Sequence, residues 1–208
     1  MKNKFYFIFS LLLFFLSKTT LSASELDINS SNINIDKVTK VTKLKGNVEA
    51  SDVLNNTIYA DEAEYNKDLK TLETFGDTKI VTSEGYILTG QNIFFDNEKK
   101  IISSSENSLI LDKDGNKIYL EMFNYFVEKK MFFSKGSIKI EDMNKNEYNF
   151  SEIYIDEAKD KIVGSDVKVF LKDNTFKANK KNNPRFFANS MTLEKGDSIF
   201  QKGVFTYC

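Results

Sequence analysis

Few residues in this chain have the type and spacing to do chemistry. Two adjacent carboxylate pairs, Asp61-Glu62 and Asp156-Glu157, have the composition of a general acid and base. Neighbours on a strand point to opposite faces, however, so such pairs do not converge on one substrate, and solvated strand faces are the expectation for both. Asp112-Lys113-Asp114-Gly115-Asn116 has the composition of a calcium loop. That pattern needs its glycine sixth and a glutamate twelfth, whereas here the glycine comes fourth, as a hairpin turn prefers. The chain has no histidine, which excludes Ser-His-Asp and Cys-His catalysis and histidine-ligated metals. Its one cysteine, Cys208, cannot build a zinc site. Gly46, Gly76 and Gly136 each precede strand-like sequence and mark bulges or close packing rather than a phosphate cradle. No catalytic residues, metal or cofactor are therefore expected, and the chain reads as non-enzymatic.

The composition narrows the class further. Lys plus Arg number 29 against 30 Asp plus Glu in 208 residues, so no basic excess points to nucleic acid. Lys2 and Lys4 precede an apolar run from Phe5 to Leu16, followed by small and polar residues through Ser24. This is the three-part layout of a secretory signal peptide over residues 1–23, with cleavage after Ser22 or Ala23. A retained anchor is the alternative, but a spanning helix takes roughly 20 apolar residues and the run is shorter. Residues 24–208 are thus expected to be exported, into a compartment where disulfides persist.

The elements that must position everything else announce themselves by repetition. Segments align without gaps every 30 residues: Ile58, Leu88, Ile118 and Tyr148 form one column, and Ala60, Gly90, Leu120 and Phe150 the next. Further columns are Ala63, Ile93, Phe123, Ile153; Tyr65, Phe95, Tyr125, Ile155; and Leu72, Ile102, Phe132, Ile162. A later copy supplies Phe186, Ala188, Met191, Leu193 and Phe200. Apolar positions fall two apart, the period of a pleated strand. The step of three from Ala60 to Ala63 predicts a bulge or bend that restores the inward face. Turn residues keep the same step at Asn55-Asn56, Glu84-Gly85, Asp114-Gly115 and Asn144-Lys145. The fold class expected is all-β: a repetitive antiparallel meander in which each repeat is two strands of roughly 10 to 12 residues, with edges at both ends that invite another strand. Its continuous apolar face has two readings, a packed core or a lining for acyl chains.

These residues carry a family resemblance. Gly46-Asn47-Val48, then Ala60-Asp61 through Tyr65, then Gly76-Asp77, resemble the OstA-type repeat of lipopolysaccharide-transport proteins, and the likeness runs over about residues 26 to 207. The resemblance implies a twisted, open β-jellyroll that carries lipopolysaccharide with its acyl chains inside and pairs edge to edge with related transport proteins. On that reading the groove candidates are Val48, Ile58, Ala60, Tyr65, Leu72, Ile80, Leu88, Ile93, Phe95, Ile102, Ile118, Leu120 and Phe123. Within the family, Gly203 to Cys208 are similar to the end of the N-terminal periplasmic domain of LptD-type outer-membrane assembly proteins, where the first of several cysteines lies. That implies a fragment of a longer protein, with Cys208 half of a disulfide whose partner is outside this chain. It also implies a periplasmic, outer-membrane-associated location, with an outer-membrane lipoprotein and barrel as partners besides lipopolysaccharide. A stand-alone, LptA-like periplasmic bridge is the alternative. Readings from other classes are a polysaccharide-acting β-solenoid enzyme, which needs converging acids, and a structural scaffold repeat.

Overall fold

The computed structural model describes residues 26–172 and 184–206. The apolar run Phe5–Leu16, the cleavage positions and Cys208 lie outside the described residues. Among the described residues seventeen strands follow one another. The chain enters through β1 (Asp27–Asn29), β2 (Asn32–Ile35), β3 (Val41–Ser51), β4 (Thr57–Asn66) and β5 (Thr71–Val81). The middle is cut into β6 (Ile87–Gln91), β7 (Phe94–Asp96), β8 (Ile101–Ser104), β9 (Ser108–Leu111), β10 (Lys117–Leu120) and β11 (Phe123–Phe126). It leaves through β12 (Met131–Glu141), β13 (Glu147–Asp156), β14 (Lys161–Phe170), β15 (Arg185–Glu194), β16 (Asp197–Gln201) and β17 (Val204–Thr206).

All pairings are antiparallel and join successive passes of the chain. Each long pass bends midway. Between the pairs Lys45↔Glu62 and Val48↔Ala60, two residues of β3 oppose one of β4, and β4 shifts against β5 beside Gly76. Gly76 sits at φ +79°, a conformation only glycine adopts without strain, which is why that position falls where the strand must turn. The bend keeps Ala60 and Ala63 buried on the same face despite their odd spacing.

The three central passes break altogether at this line, and the break changes the topology. Strand β5 pairs with β6 at one end and β7 at the other; β6 continues to β9 and β10, and β7 to β8 and β11. Both tracks meet again on β12. The pairings therefore close a circuit of eight strands, barrel-like in its connectivity, with β1–β4 and β13–β17 outside it. This corrects the expected open jellyroll of uniform two-strand repeats. Bulges alone do not supply enough curvature in the middle of the molecule, so the ladder there is interrupted.

Hydroxyl groups replace the lost ladder bonds. Thr74 Oγ1 accepts from the Ile93 amide at 2.9 Å, Ser104 Oγ donates to the Gln91 carbonyl at 3.0 Å, and Ser134 Oγ donates to the Met122 carbonyl at 2.6 Å. Thr74, Ser104 and Ser134 are all buried, so each bond satisfies a backbone group that water does not reach.

The bend folds the sheet so that two halves face each other over one core. The hairpin half ends in the tips at 52–56, 82–86, 112–116 and 142–146; the return half ends in the turns at 67–70, 97–100, 127–130, 157–160 and 195–196. A shared device makes three of the tips. Asp52, Asp112 and Asp142 each accept from the amide four residues on and from that residue's Asn side chain, at Asn56, Asn116 and Asn146. Asn56 then accepts from the Ser83 amide at 3.0 Å, and Asn146 from the Lys172 amide at 2.9 Å, so neighbouring tips are tied side to side.

Candidate functional site

The thirteen groove candidates come together, but as solid interior. Leu72, Leu88, Ile93, Ile118 and Phe123 have no exposed surface, and Val48, Ile58, Ile80, Phe95, Ile102 and Leu120 are nearly as buried. Ala60 and Tyr65 sit closest to the surface of that cluster. Val48 and Ala60 border a broad hollow along the hairpin half, lined by both polar and apolar groups. The candidate columns were read correctly as one face; what fills the space between them is each other.

A second opening, with polar and apolar walls in about equal share, lies at the C-terminal end of the same core. It has a volume of about 340 Å³, within the range of ligand pockets. Its walls are Tyr86, Ile140 and Phe150 from the hairpin half, with Ile162, Met191 and Leu193 from the return half. These six belong to the core cluster or pack against it, so the inner wall of the mouth is core. Its rim is polar, with Asp112, Asp114, Asp142 and Asp160 against Lys195. Asp142 accepts from the Tyr148 hydroxyl at 3.2 Å, and burial followed by that carboxylate pushes the Tyr148 phenol up to about 12. Met191 and Leu193 stand in the late repeat and Ile162 in the last column of the aligned one, but none was singled out as lining. The signal that could have found them is position: the last repeats of a stack lack a neighbour to cover them.

Two features explain why the opening lies there and not elsewhere. Gly164 on β14 leaves room for the Phe150 ring: a methyl at that position would lie 2.3 Å from Phe150 Cδ1. The ring thereby lies along the wall instead of filling the gap. The second feature is a line of contacts that shuts the rest of the sandwich. Glu157 on the return turn is 1 % exposed and accepts from Thr82 Oγ1 at 2.8 Å and from the Tyr125 hydroxyl at 2.7 Å. Lys130 pairs with Glu84, and Lys113 with Asp160 at 3.7 Å. Among the described residues these cross-links run no further than the tip at 112–116, where the mouth begins.

Glu157 corrects the expectation that both acid pairs are solvated. Asp61 and Glu62 are exposed, at the bend. Glu157 instead faces inward from a turn, and burial drives its pKa up to about 7 against the lowering effect of its Tyr125 and Thr82 hydrogen bonds. Its partners are a threonine and a tyrosine hydroxyl, both held in the core. Asp112 to Asn116 form the hairpin tip described above. Among the described residues, no three Asp, Glu, His or Cys side chains are grouped to hold a metal, and no helix is long and apolar enough to cross a membrane.

The molecule ends sideways in edge strands. Among the described residues β1 and β2 pair only with β3, and β16 and β17 only with β15. Both edges expose large apolar side chains, Ile33 and Ile35 on one, Ile199, Val204 and Phe205 on the other.

No protein-family model matches the chain, and no curated protein does. Among solved structures the chain has a distant similarity to LptH of Pseudomonas aeruginosa, the LptA-homologous periplasmic component of its lipopolysaccharide transport device. Identity is 13 %, over 68 % of this chain and 82 % of that one, with a TM-score of 0.28.

Proposed function

We propose that this chain is a non-enzymatic, periplasmic lipopolysaccharide-transport protein, of the stand-alone bridging kind rather than an assembly-protein domain. The observation that carries the reading is the mouth: an opening whose inner wall is made of core side chains of a two-layer β fold and whose rim is polar. Such a site takes the alkyl chains of an amphiphile and leaves its head group in water. The OstA-type repeat named from the sequence supplies the amphiphile's class. The two exposed, half-paired edges supply the second requirement of a bridge, a surface on which a related protein adds a strand. The thirteen buried candidates lie in the packed core behind the mouth, where acyl chains reach them only once that packing opens.

A photo-crosslinking amino acid placed at Met191 or Leu193 is expected to capture lipopolysaccharide. One at Tyr59, on the outer face, is expected to capture none. Labelling from Tyr59 alone would sink the assignment.

A further inference from the structure

The aromatic residues behind the mouth form a chain that ends on Glu157. Tyr86 lines the mouth, and its ring lies 6.4 Å from that of Phe132. Phe132 stacks on Tyr125 at 4.3 Å and meets Phe123, one of the groove candidates, edge-on at 6.1 Å. The Tyr125 hydroxyl donates to Glu157, whose other oxygen accepts from Thr82 at the root of the hairpin that carries Tyr86. Thr82 Oγ1 in turn accepts from the Tyr86 amide at 3.1 Å. One carboxyl thus holds both ends of the aromatic series.

We propose that Glu157 latches Tyr86, Phe132 and Tyr125 as a plug, and that its release extends the mouth inward into a cryptic stretch of groove for a longer alkyl chain. The inference rests on the mouth being a lipid site. It adds that the mouth as it stands takes a short chain segment, and that the interior beyond Phe132 becomes accessible only when hairpin 82–86 lifts from turn 157–160. Cryptic sites of this kind are minor conformations that a ligand makes dominant.

Release is coupled to a proton. Glu157 faces Thr82, Glu84 and Tyr86 from one hairpin, Tyr125 from β11 and Lys130 from the turn beside it. Asp156 and Asp160 lie on its own turn, Asp112 and Asp114 on the next tip, and Asp52 acts on Tyr125 from a third. The cations Lys130, Lys113 and Lys159, the last on Glu157's own turn, are already engaged by Glu84, Asp160 and Asp156. Net negative surroundings and burial both favour the protonated acid in the latched state, whereas in the released state the carboxyl meets water and ionises in the ordinary range. Latched protein therefore holds a proton that released protein gives up. Release becomes easier as pH rises from about 5 to about 7, by up to roughly tenfold per unit, and levels off above.

The test uses the full chain and alkyl maltosides below their micellar concentration, whose uncharged heads do not titrate. Octyl maltoside probes the mouth alone and dodecyl maltoside the extension. In the unaltered protein octyl binding is expected to be flat between pH 5 and 8, and dodecyl affinity to climb at least tenfold. Glu157→Gln, permanently uncharged, is expected to keep octyl binding and lose the climb; Tyr125→Phe, which removes one latch bond, is expected to bind dodecyl maltoside tightly already at pH 5. A second arm avoids reliance on these variants. Glu84→Cys with Lys130→Cys, in a Cys208→Ser chain, bridged by a short bismaleimide, should bind octyl but not gain dodecyl affinity at pH 8. Equal pH-independent binding of both probes in all forms overturns the latch and leaves the mouth standing. No binding of either probe overturns the mouth, and the latch as a ligand device with it.

Discussion

Gly164 offers the sharpest test of how the mouth is kept open. Its Cβ position lies 2.3 and 2.7 Å from two carbons of the Phe150 ring and 3.1 Å from Ile153 Cγ2. Carbon atoms rest at about 3.5 to 4.0 Å, so Gly164→Ala drives the ring away by more than an ångström. Ile153 packs on the core side, and the free volume beside the ring is the mouth. Overpacking of this kind costs about 1–3 kcal/mol, a fall in Tm of roughly 3–10 °C for a domain of this size. The displaced ring also takes up space an alkyl chain needs, so octyl maltoside affinity should drop tenfold or more. Phe150→Leu alone is expected to cost about 1.5 kcal/mol or less. Combined with Gly164→Ala it should recover part of the loss, giving a coupling of about 1 kcal/mol in a double-mutant cycle read by calorimetry. A Gly164→Ala protein that melts within about 1 °C of the parent, or a strictly additive double variant, would refute the packing argument.

Three further outcomes follow from the same geometry. Asn56→Ala strands both the Ser83 amide and Asp52 Oδ2, and a lowered urea midpoint equivalent to about 1–3 kcal/mol is expected. Gly76→Ala meets no neighbour and is strained only by its φ of +79°, so its cost should be about 1–2 kcal/mol; Gly136→Ala, which also runs into Glu121 Oε2 at 2.5 Å, should cost more in the same chemical-denaturation assay. Glu157, with its folded pKa raised to about 7, contributes stability that is whole at pH 4 and lost as pH climbs through 7, a difference of roughly 3 kcal/mol. Thermal unfolding of Glu157→Gln should lack that slope, and an identical pH profile for both proteins would argue against the buried proton.

Alternation and the 30-residue step made the strands, their inward faces and the bend legible in the sequence, because strand period and turn chemistry are local properties. Ala60 and Ala63 are the clearest case: their odd spacing demanded a bulge, and the register shifts there. Three things were not legible. The split of the central passes depends on how sharply the sheet must curve, which no column of residues encodes; Thr74, Ser104 and Ser134 look like ordinary strand polars until the ladder is seen to fail beside them. The groove was assigned to the best-aligned repeats, yet regular repeats pack best against one another, and the opening lies where Gly164 and the final strands leave the stack uncovered. Glu157 was read with Asp156 as a solvated pair, because its burial depends on Thr82, 75 residues away.

The nearest-neighbour order of the strands carries a consequence for how the molecule forms. Each pass pairs with the one just before it, so a chain emerging from its N-terminus can add strands in sequence without waiting for a distant partner. Loop closure stays cheap throughout, which is unusual for an all-β protein of this size. The contacts that span long stretches of chain are those between the two layers, such as Thr82 to Glu157, Glu84 to Lys130, Lys113 to Asp160 and the Tyr86–Phe132 ring pair. Assembly can therefore run as a zipper from one end to the other, and the clasp that closes the two layers comes last.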